Sequence, residues 1–574
     1  MKCTLKAVSK PRILAMLLYL QAFVIMGFFT LHRIPRLVAR VGTEIHSTIA
    51  TTTEVAAILI AAILFMTARS IRLRRRQAWA LAIILQISLI CVSLERTIHY
   101  LFFYKNPTVA ISTYGLSHLI SEIVILSLLI LWRDKFRTIA GPQTMSRVVS
   151  FALKSFSTSL AISFLFIYFD HRLFITAPSI TEALRLIFKG FIGVSDSLSY
   201  STSRVQERVE LLLGGLGIIN ALAISVKLFK PFEKKTELNP DDEHGLRALL
   251  SQNSDSDSLA YFVLRDNKSI MWSRNKKAAI AYTVVNGVMI TTGDPVGDRE
   301  SWPDAIARFI EEAELHAWIP CVYGCSEIAG EIWVRETQFT ALEIGDEAIV
   351  LTKDFTLEGS AMKNVRQMIA RVNRAGITTI TKQVKEMTSI EREGLAHFAQ
   401  KWRRGGDERG FSMALGRFCD VRDPDLVLTW GELNGEPIAL LQFVPWGNNG
   451  LSLDIMRRSE KAEGGINETL IAATIEWGRT RGIEKLSLNF ATFRSIFERG
   501  SRLGAGPIVR MSYRVLKYLS RFAQMETLYR FNAKFRPEWE PRFIIYPGAS
   551  NLLPVTIAIL TIESFWPPLK LNKR

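Results

Sequence analysis

Six apolar stretches crowd the first 235 residues, at 13–31, 50–68, 78–94, 116–132, 149–169 and 211–229, and they restrict the fold more than any other feature. Each approaches the ~20 residues that cross a bilayer's hydrocarbon core as a helix. Backbone in lipid must satisfy its own hydrogen bonds, so an α-helical polytopic membrane domain is predicted over 1–235. The first stretch is too long for the apolar core of a signal peptide, and no small-residue cleavage site follows it. Lys2, Lys6, Lys10 and Arg12 precede it, and Arg69, Arg72, Arg74, Arg75 and Arg76 fill the second connection. Arg133, Lys135, Arg137 and Arg147 lie in the fourth, and Lys227, Lys230, Lys234 and Lys235 follow the sixth stretch. Basic residues gather on the cytoplasmic side, which places the amino terminus and everything after Lys235 there, in a multi-pass protein of the cell membrane. Segment 180–193 carries Leu184, Leu186, Ile187, Phe188 and Phe191 and predicts an interfacial or re-entrant helix. Glu54 and Glu122 fall near the ends of stretches, where an interfacial position is expected for them.

Past residue 235 apolar and charged residues alternate as they do in a globular domain, so the 48% hydrophobic content of the chain is concentrated in its first part. A formal charge of +17 calls for an anionic partner, either nucleic acid or anionic lipid. Cys3, Cys91, Cys321, Cys325 and Cys419 show neither a disulfide framework nor zinc spacing, so reduced thiols, no metal site and no cofactor are expected. A Gly-x-x-x-x-Gly-Lys-[Ser/Thr] loop for a nucleoside triphosphate is absent from the sequence.

A polar linker (232–258) with a short helix at 243–250 leads into strand-like runs at 260–265, 269–273, 278–284 and 287–292. The turn Gly293-Asp-Pro-Val-Gly297 follows and reads on its own as a plain hairpin turn. A helix at 302–316, a strand at 319–323, a helix at 327–336 and a strand at 348–351 complete the unit. A helix over 359–376 then puts Lys363, Arg366, Arg371 and Arg374 on one broad face without an acid, which suits phosphate as well as plain solvation. Next come an amphipathic helix at 389–403 and strands 426–433 and 437–445 joined through Asn434-Gly435, a strong hairpin signal. Strand 450–456, helix 467–480 and strand 485–489 follow in an α/β layer pattern that echoes the first segment, so a tandem duplication is expected. The expected boundaries are 236–356 for the first domain, 357–384 for the basic helix and linker, 385–550 for the second domain and 551–574 for an apolar tail. Within that tail 555–566 is too short to span a membrane and predicts a packed or interfacial helix.

The chemistry concentrates in Leu451-Ser-Leu-Asp-Ile-Met-Arg-Arg458. Period-two alternation puts Leu451, Leu453 and Ile455 on one face of a strand and Ser452, Asp454 and Met456 on the other. Asp454 then points away from the apolar face, with Arg457 and Arg458 at the strand's end. A carboxylate and a guanidinium there suit an ammonium-bearing substrate and a developing oxyanion, and equally a surface ion pair. Segment 494–542 is strongly basic, including Lys534, Arg536 and Arg542, and interleaves Tyr529, Phe531, Phe535 and Trp539. Such a mixture fits phosphates with unpaired bases, or an anionic membrane surface.

From 241 to 547 these motifs resemble the aminoacyl-phosphatidylglycerol synthases, also called phosphatidylglycerol lysyltransferases or multiple peptide resistance factors. The carriers are Gly293-Asp-Pro-Val-Gly297, the basic helix 363–376, Gly410-Phe-Ser-Met413, Leu451-Ser-Leu-Asp-Ile-Met-Arg-Arg458 and Tyr529-Arg-Phe-Asn-Ala-Lys-Phe-Arg-Pro-Glu-Trp-Glu-Pro-Arg542. The resemblance implies α/β tandem GNAT-like acyltransferase folds below a membrane domain. It implies transfer of a lysyl or alanyl group from aminoacyl-tRNA to the glycerol hydroxyl of phosphatidylglycerol, at the surface of the lipid bilayer. It also implies catalytic roles for Asp454, Arg457 and Lys534, with Lys363, Arg366, Arg371, Arg374, Arg458, Arg536 and Arg542 available to tRNA or lipid phosphate. Arg458-Ser-Glu-Lys-Ala-Glu-Gly-Gly465 departs from the turn that cradles acetyl-CoA in ordinary GNAT enzymes, which suits a tRNA donor. The membrane part has fewer stretches than relatives that also flip the lipid, and a separate aminoacyl-tRNA synthetase is expected to charge the tRNA. Competing readings are another acceptor (diacylglycerol or a peptidoglycan precursor), a lipid transporter with a regulatory soluble half, and a nucleic-acid-binding membrane anchor.

Overall fold

The computed structural model of the chain describes residues 10–31, 54–103, 116–136, 142–170, 173–192, 198–228, 237–253, 256–403, 411–492 and 529–564. Cys3, Gly410, part of the linker and most of the basic segment (494–528) lie outside the described residues. The chain forms two compact units, residues 1–232 with 315–317, and residues 233–314 with 318–574.

The first unit is helical. All six apolar stretches fall on helices: α1 (Lys10–Leu31), α2 (Glu54–Arg72), α3 (Arg76–Phe103), α4 (Leu116–Leu131), α5 (Pro142–Phe169) and α7 (Ser203–Leu228). Among the described residues three segments are long and apolar enough to cross a membrane: Arg76–Leu94, Val148–Phe169 and Arg208–Leu228. Large apolar side chains such as Met16, Phe23, Ile84, Leu153 and Leu211 stand exposed, as a lipid-facing surface requires. Inside, helices are joined by amide and hydroxyl pairs, the form of helix contact that apolar surroundings reward. Gln86 Nε2 donates to Gln21 Oε1 at 2.8 Å, and Asn220 Nδ2 donates to Ser159 Oγ at 2.8 Å. Glu122, in the second turn of α4, is buried and accepts from Ser93 Oγ at 3.1 Å, since a carboxylate on an apolar helix is best satisfied by a neighbouring helix. The helix expected near 180–193 is α6 (Ile180–Phe191), started by a capping box of Ser179 and Glu182. Its apolar face packs into a cluster with Ile167, Val209 and Leu213.

The second unit is built on one sheet, of twelve strands among the described residues: β1 (Ser269–Trp272), β2 (Ala278–Val285), β3 (Val288–Thr292), β4 (Val296–Gly297), β5 (Ile319–Cys325), β6 (Thr340–Leu351), β7 (Thr378–Gln383), β8 (Val427–Leu433), β9 (Glu436–Trp446), β10 (Gly450–Arg458), β11 (Lys485–Thr492) and β12 (Glu538–Tyr546). The order is β1-β2-β3-β5-β12-β6-β11-β10-β9-β8-β7, with β4 on β2. Read inward from each edge, both halves repeat one scheme: antiparallel strands, then one parallel pair (β3 with β5, β10 with β11). The repeat is closed by exchange. Strand β6, from the first segment, pairs with β11 of the second, and β12, from the chain's end, lies between β5 and β6. A boundary at 356/357 therefore does not divide two sheets.

Among the described residues this unit also contains helices α8 (Pro240–Gln252), α9 (Trp302–Leu315), α10 (Glu327–Thr337), α11 (Lys363–Arg374), α12 (Ser389–Trp402), α13 (Ile466–Arg479) and α14 (Leu552–Ile562). One core cluster joins Leu246 of α8, Leu395 of α12 and Val555 of α14 to sheet residues that include Leu440, Val444 and Ile455. A second joins Ile466, Leu470 and Ile475 of α13 to Leu441, Phe443, Leu451 and Leu453. Two local expectations change. Residues 260–264 form a 3-10 helix rather than a strand, since Phe262 N bonds back to Leu259 O at 3.1 Å. The turn after β3 leads into the short β4, not a hairpin partner of β3, and both its glycines have positive φ. Asn434-Gly435 forms the expected tight hairpin with φ of 53 and 78°.

Candidate active site

Asp454 sits at an irregularity that alternation alone does not reveal. Leu453 pairs with Phe443 and Ile455 with Gln442, so Asp454 is the extra residue of a β-bulge. The bulge reverses the faces of everything after it. Leu451 and Leu453 pack with α13, while Ile455 joins the opposite cluster and Met456 returns to the α13 side. The expected grouping of Leu451, Leu453 and Ile455 is thus corrected. The chemical consequence is that Arg457, which pairs with Leu440, faces the same side as Asp454. Without the extra residue the two would stand on opposite faces. Asp454 Oδ1 accepts from Leu415 N at 2.9 Å and Oδ2 from Gln442 Nε2 at 2.6 Å. Arg457 Nη1 donates to Ala399 O of α12 at 2.8 Å.

The same stretch borders an opening in the sheet. The parallel strands β10 and β11 pair only from Gly450–Ser452 to Lys485–Ser487, after which β10 continues with β9 and β11 with β6. Asp454 lies just past the point of divergence. Asn489, at φ 65°, reaches across it and donates from Nδ2 to Leu453 O. The corresponding pair in the first half, β3 and β5, is joined along five residues, so only the second half has such a fork among the described residues. Asn489 Oδ1 is buried without a donor among the described residues, as is Oδ1 of Asn467 on α13, whose amide nitrogen contacts Met456 Sδ.

Lys534 lies on the α13 side, away from Asp454 and Arg457. Its Nζ donates to Glu468 Oε1 at 2.7 Å and stands 5.4 Å from the Phe531 ring. Glu468 is buried in the first turn of α13, so the Lys534 charge is already largely matched. Arg458 and Arg536 are exposed. On α11, Lys363, Arg366, Arg371 and Arg374 are all exposed, and Arg371 and Arg374 line an open depression with Asn364 and Gln367. Arg366 is partly spent on the preceding loop, donating to Gly359 O at 2.7 Å, and Arg371 lies 3.6 Å from Glu463. Gly465, at φ +98°, lets Met368 of α11 pack against the loop before α13, where a Cβ would come within 2.6 Å of it. Helix α11 thus packs over the loop that starts α13, and Glu468 adds a carboxylate to its first turn, where a phosphate would be repelled.

Arg542 is corrected outright. It is 2% exposed and cannot meet a phosphate. Its Nη1 lies 2.7 Å from Asp257 Oδ1, its Nε 3.0 Å from Glu347 Oε2, and its Nη2 donates to Ser258 Oγ at 2.7 Å. Asp257 Oδ2 accepts from Asp294 N, and Asp294 in turn binds Ser326 N and Oγ at 2.8 and 2.6 Å. The Gly293-Asp-Pro turn therefore helps hold a buried charge cluster at the centre of the sheet. Burial first, and then the Asp257 charge, push the Asp294 carboxyl up to about 7 against the pull of Arg542.

A second buried group supports the site from behind. Phe411-Ser-Met413 forms a 3-10 turn, with Lys268 Nζ and the Arg265 guanidinium each 5.0 Å from the Phe411 ring centroid. Lys268 Nζ donates to Phe262 O and Thr292 Oγ1 at 2.9 Å, and Ser412 N donates to Glu563 Oε1 at 3.0 Å. Burial, aided by the Arg265 charge, lowers Lys268 to about 7. A depressed folded value costs stability as pH falls from the unfolded value of 10.5 through about 7. Lys268→Met removes that term. Thermal melts of the full chain in detergent should rise from pH 7 to 10 for the parent and stay flatter for the variant; parallel curves would refute the assignment.

Gln442, Leu415, Glu468, Asn489, Lys268 and Glu563 were missed by sequence reasoning. Only Gln442 carried a signal, as the one amide in the otherwise apolar run Ile438–Val444.

The family model described as "Phosphatidylglycerol lysyltransferase, C-terminal" matches residues 247–546. A lysylphosphatidylglycerol biosynthesis bifunctional protein LysX of Gordonia bronchialis is 40% identical over 392 residues, covering 67% of this chain and 34% of the relative. Its namesake in Rhodococcus jostii is 41% identical over 365 residues, covering 63% and 33%. The chain thus spans about a third of the length of these curated relatives. Among solved structures, the L-PGS of Bacillus licheniformis is similar at a TM-score of 0.48 and 22% identity, over 58% of this chain and 99% of that one. With just over half of its residues matched by that model, the chain belongs to the phosphatidylglycerol lysyltransferase C-terminal domain family.

Proposed function

We propose that this chain transfers an aminoacyl group, lysyl in the first instance, from aminoacyl-tRNA to the glycerol hydroxyl of phosphatidylglycerol. The observation that carries the reading is the bulge that brings Asp454 and Arg457 to one face at the mouth of an open fork. The reaction is an ester exchange. The lipid hydroxyl oxygen attacks the aminoacyl carbonyl carbon, a tetrahedral oxyanion forms, and the bond to the tRNA ribose oxygen breaks. The proton leaves the lipid hydroxyl and ends on that ribose oxygen. One ester replaces another, so no nucleotide energy is consumed.

Asp454 holds the proton-bearing partner, either the lipid hydroxyl or the aminoacyl ammonium. Arg457 supplies positive charge toward the oxyanion or a phosphate. The donorless oxygen of Asn489, the residue that crosses the fork, is suited to a substrate N–H or O–H group. Positioning of two bound substrates provides much of the rate. Lys363, Arg371 and Arg374, with Arg458 and Arg536, offer exposed charge to tRNA or lipid phosphate. Lys534 serves chiefly to order the start of α13 through Glu468. The membrane helices keep the catalytic half at its lipid, with that half on the cytoplasmic side where charged tRNA resides. A lysyl ester adds two ammonium groups to a singly anionic lipid, which lowers the negative charge of the membrane and with it the attraction of cationic peptides.

Lipid mass spectrometry of cells with and without this chain tests the reading. A phosphatidylglycerol species heavier by one lysyl residue is expected. An aminoacyl mass on another lipid would move the acceptor, and an unchanged lipid profile with charged tRNA present would refute transfer.

A further inference from the structure

We infer that Gln442 is a positioning residue that fixes the Asp454 carboxylate, and that the first half of the sheet holds it there through the 415–423 loop. The inference rests on the catalytic reading of Asp454. Gln442 is fully buried on β9, directly opposite the bulge. Its amide makes three hydrogen bonds, and two are to backbone groups of fixed polarity. Oε1 accepts from Cys419 N at 2.8 Å, and Nε2 donates to Arg417 O at 3.0 Å. The amide cannot turn over without setting oxygen against oxygen and N–H against N–H. Its remaining N–H is thereby aimed at Asp454 Oδ2, at 2.6 Å. The other carboxylate oxygen takes Leu415 N–H, from the same loop. Two donors, one from the loop and one from the amide, set the plane of the carboxylate.

The loop itself is anchored in the first half. Arg417 Nη1 donates to Leu264 O at 2.7 Å and lies 2.9 Å from Asp266 Oδ1. Arg417 Nε lies 2.5 Å from Asp423 Oδ2, and Asp423 Oδ1 accepts from Arg247 Nη2 at 2.7 Å and Tyr261 Oη at 2.8 Å. Asp423 is fully buried, so this bracing is not diluted by water. The half without an open fork thus contributes the frame against which the site residue is held.

The test is the pH dependence of single-turnover transfer by the full chain, with lysyl-tRNA and phosphatidylglycerol vesicles, read as the ratio of variant to parent. In Gln442→Glu the new carboxyl can donate to Asp454 only while protonated. Its ratio should approach one at the acid end and fall at least tenfold as pH rises. Gln442→Leu offers no donor at any pH and should show a tenfold or greater loss in rate at saturating substrate, without acid recovery. Other charged or titratable groups around this point are Arg457 on the same strand, Arg417, Cys419 and Asp423 on the loop, and Arg265, Lys268 and Glu563 behind Phe411. They are common to parent and variants, so the ratio cancels them. A flat Gln442→Glu ratio would overturn the inference, and because that substitution is nearly isosteric its pH ratio decides even if Gln442→Leu folds poorly. Asp454→Asn is run alongside. If it retains activity, both the catalytic reading and this inference fall; if it is inactive while the Gln442 variants match the parent, only this inference falls.

Discussion

Asp454→Asn lowers turnover in aminoacyl transfer by roughly 10²–10⁴-fold, the range that a positioned acid–base group supplies, with little change in melting temperature. The substitution keeps the shape and one acceptor oxygen for Leu415 N or Gln442 Nε2. It removes the charge and sets an N–H against one of those donors, which costs about 1 kcal/mol of stability. A structural role predicts the reverse balance, a large loss of stability with turnover following it. The kinetic split then separates the two roles. A loss confined to the rate at saturation places the lipid hydroxyl on Asp454. A rise in the half-saturating concentration of lysyl-tRNA places the aminoacyl ammonium there. A variant within twofold of the parent on both counts sinks the assignment.

Arg542→Met has the largest expected effect on stability. The guanidinium is surrounded by Asp257 and Glu347, with Asp294 behind them, and all four groups are buried. Burial alone would favour loss of its proton, but the carboxylates around it hold it firmly charged. Removing one partner of a buried cluster leaves uncompensated charge and costs about 3–5 kcal/mol. That is a large part of the 5–15 kcal/mol typical of a folded protein. The pH response identifies the cause. Without the arginine the buried carboxylates bind protons more tightly in the folded state than in the unfolded state. Their contribution is then greatest at low pH and is lost as pH rises through the raised folded values. Melts of the variant should move toward the parent between pH 8 and 5. A constant gap across that range would mean that lost packing, not stranded charge, destabilises it.

These two residues also show how far the sequence could be read. Asp454 was legible because a lone carboxylate stands out in an apolar strand, and period-two alternation gave its face correctly up to that point. The face of Arg457 was not legible. A bulge adds one residue to one strand, and only the register with β9 reveals it. Arg542 read as a surface cation because an arginine in a basic segment usually is one. Its burial depends on Asp257 and Glu347, some 285 and 195 positions away, which no local pattern connects. The basic face of α11 and the helices of the apolar stretches were legible because each is a local periodicity. Strand β7 was hidden in the linker, since Thr378-Thr-Ile-Thr-Lys-Gln383 is a half-exposed edge strand without an apolar face of its own.

The exchange of β6 and β12 has a consequence for how this chain is made. A ribosome releases the first segment with β5 and β6 already synthesised, yet the strand that belongs between them is nearly two hundred residues from completion. Until residues 538–546 emerge, β5 and β6 each present a bare hydrogen-bonding edge, and Glu347 waits in the sheet for an arginine not yet made. Strand β12 acts as a keystone: without it the facing edges of β5 and β6 stay open, and open edges pair readily with other chains. Residues 538–546 therefore close two edges whose strands are made about two hundred residues earlier, and the interval between is the one in which this sheet is most exposed to mispairing.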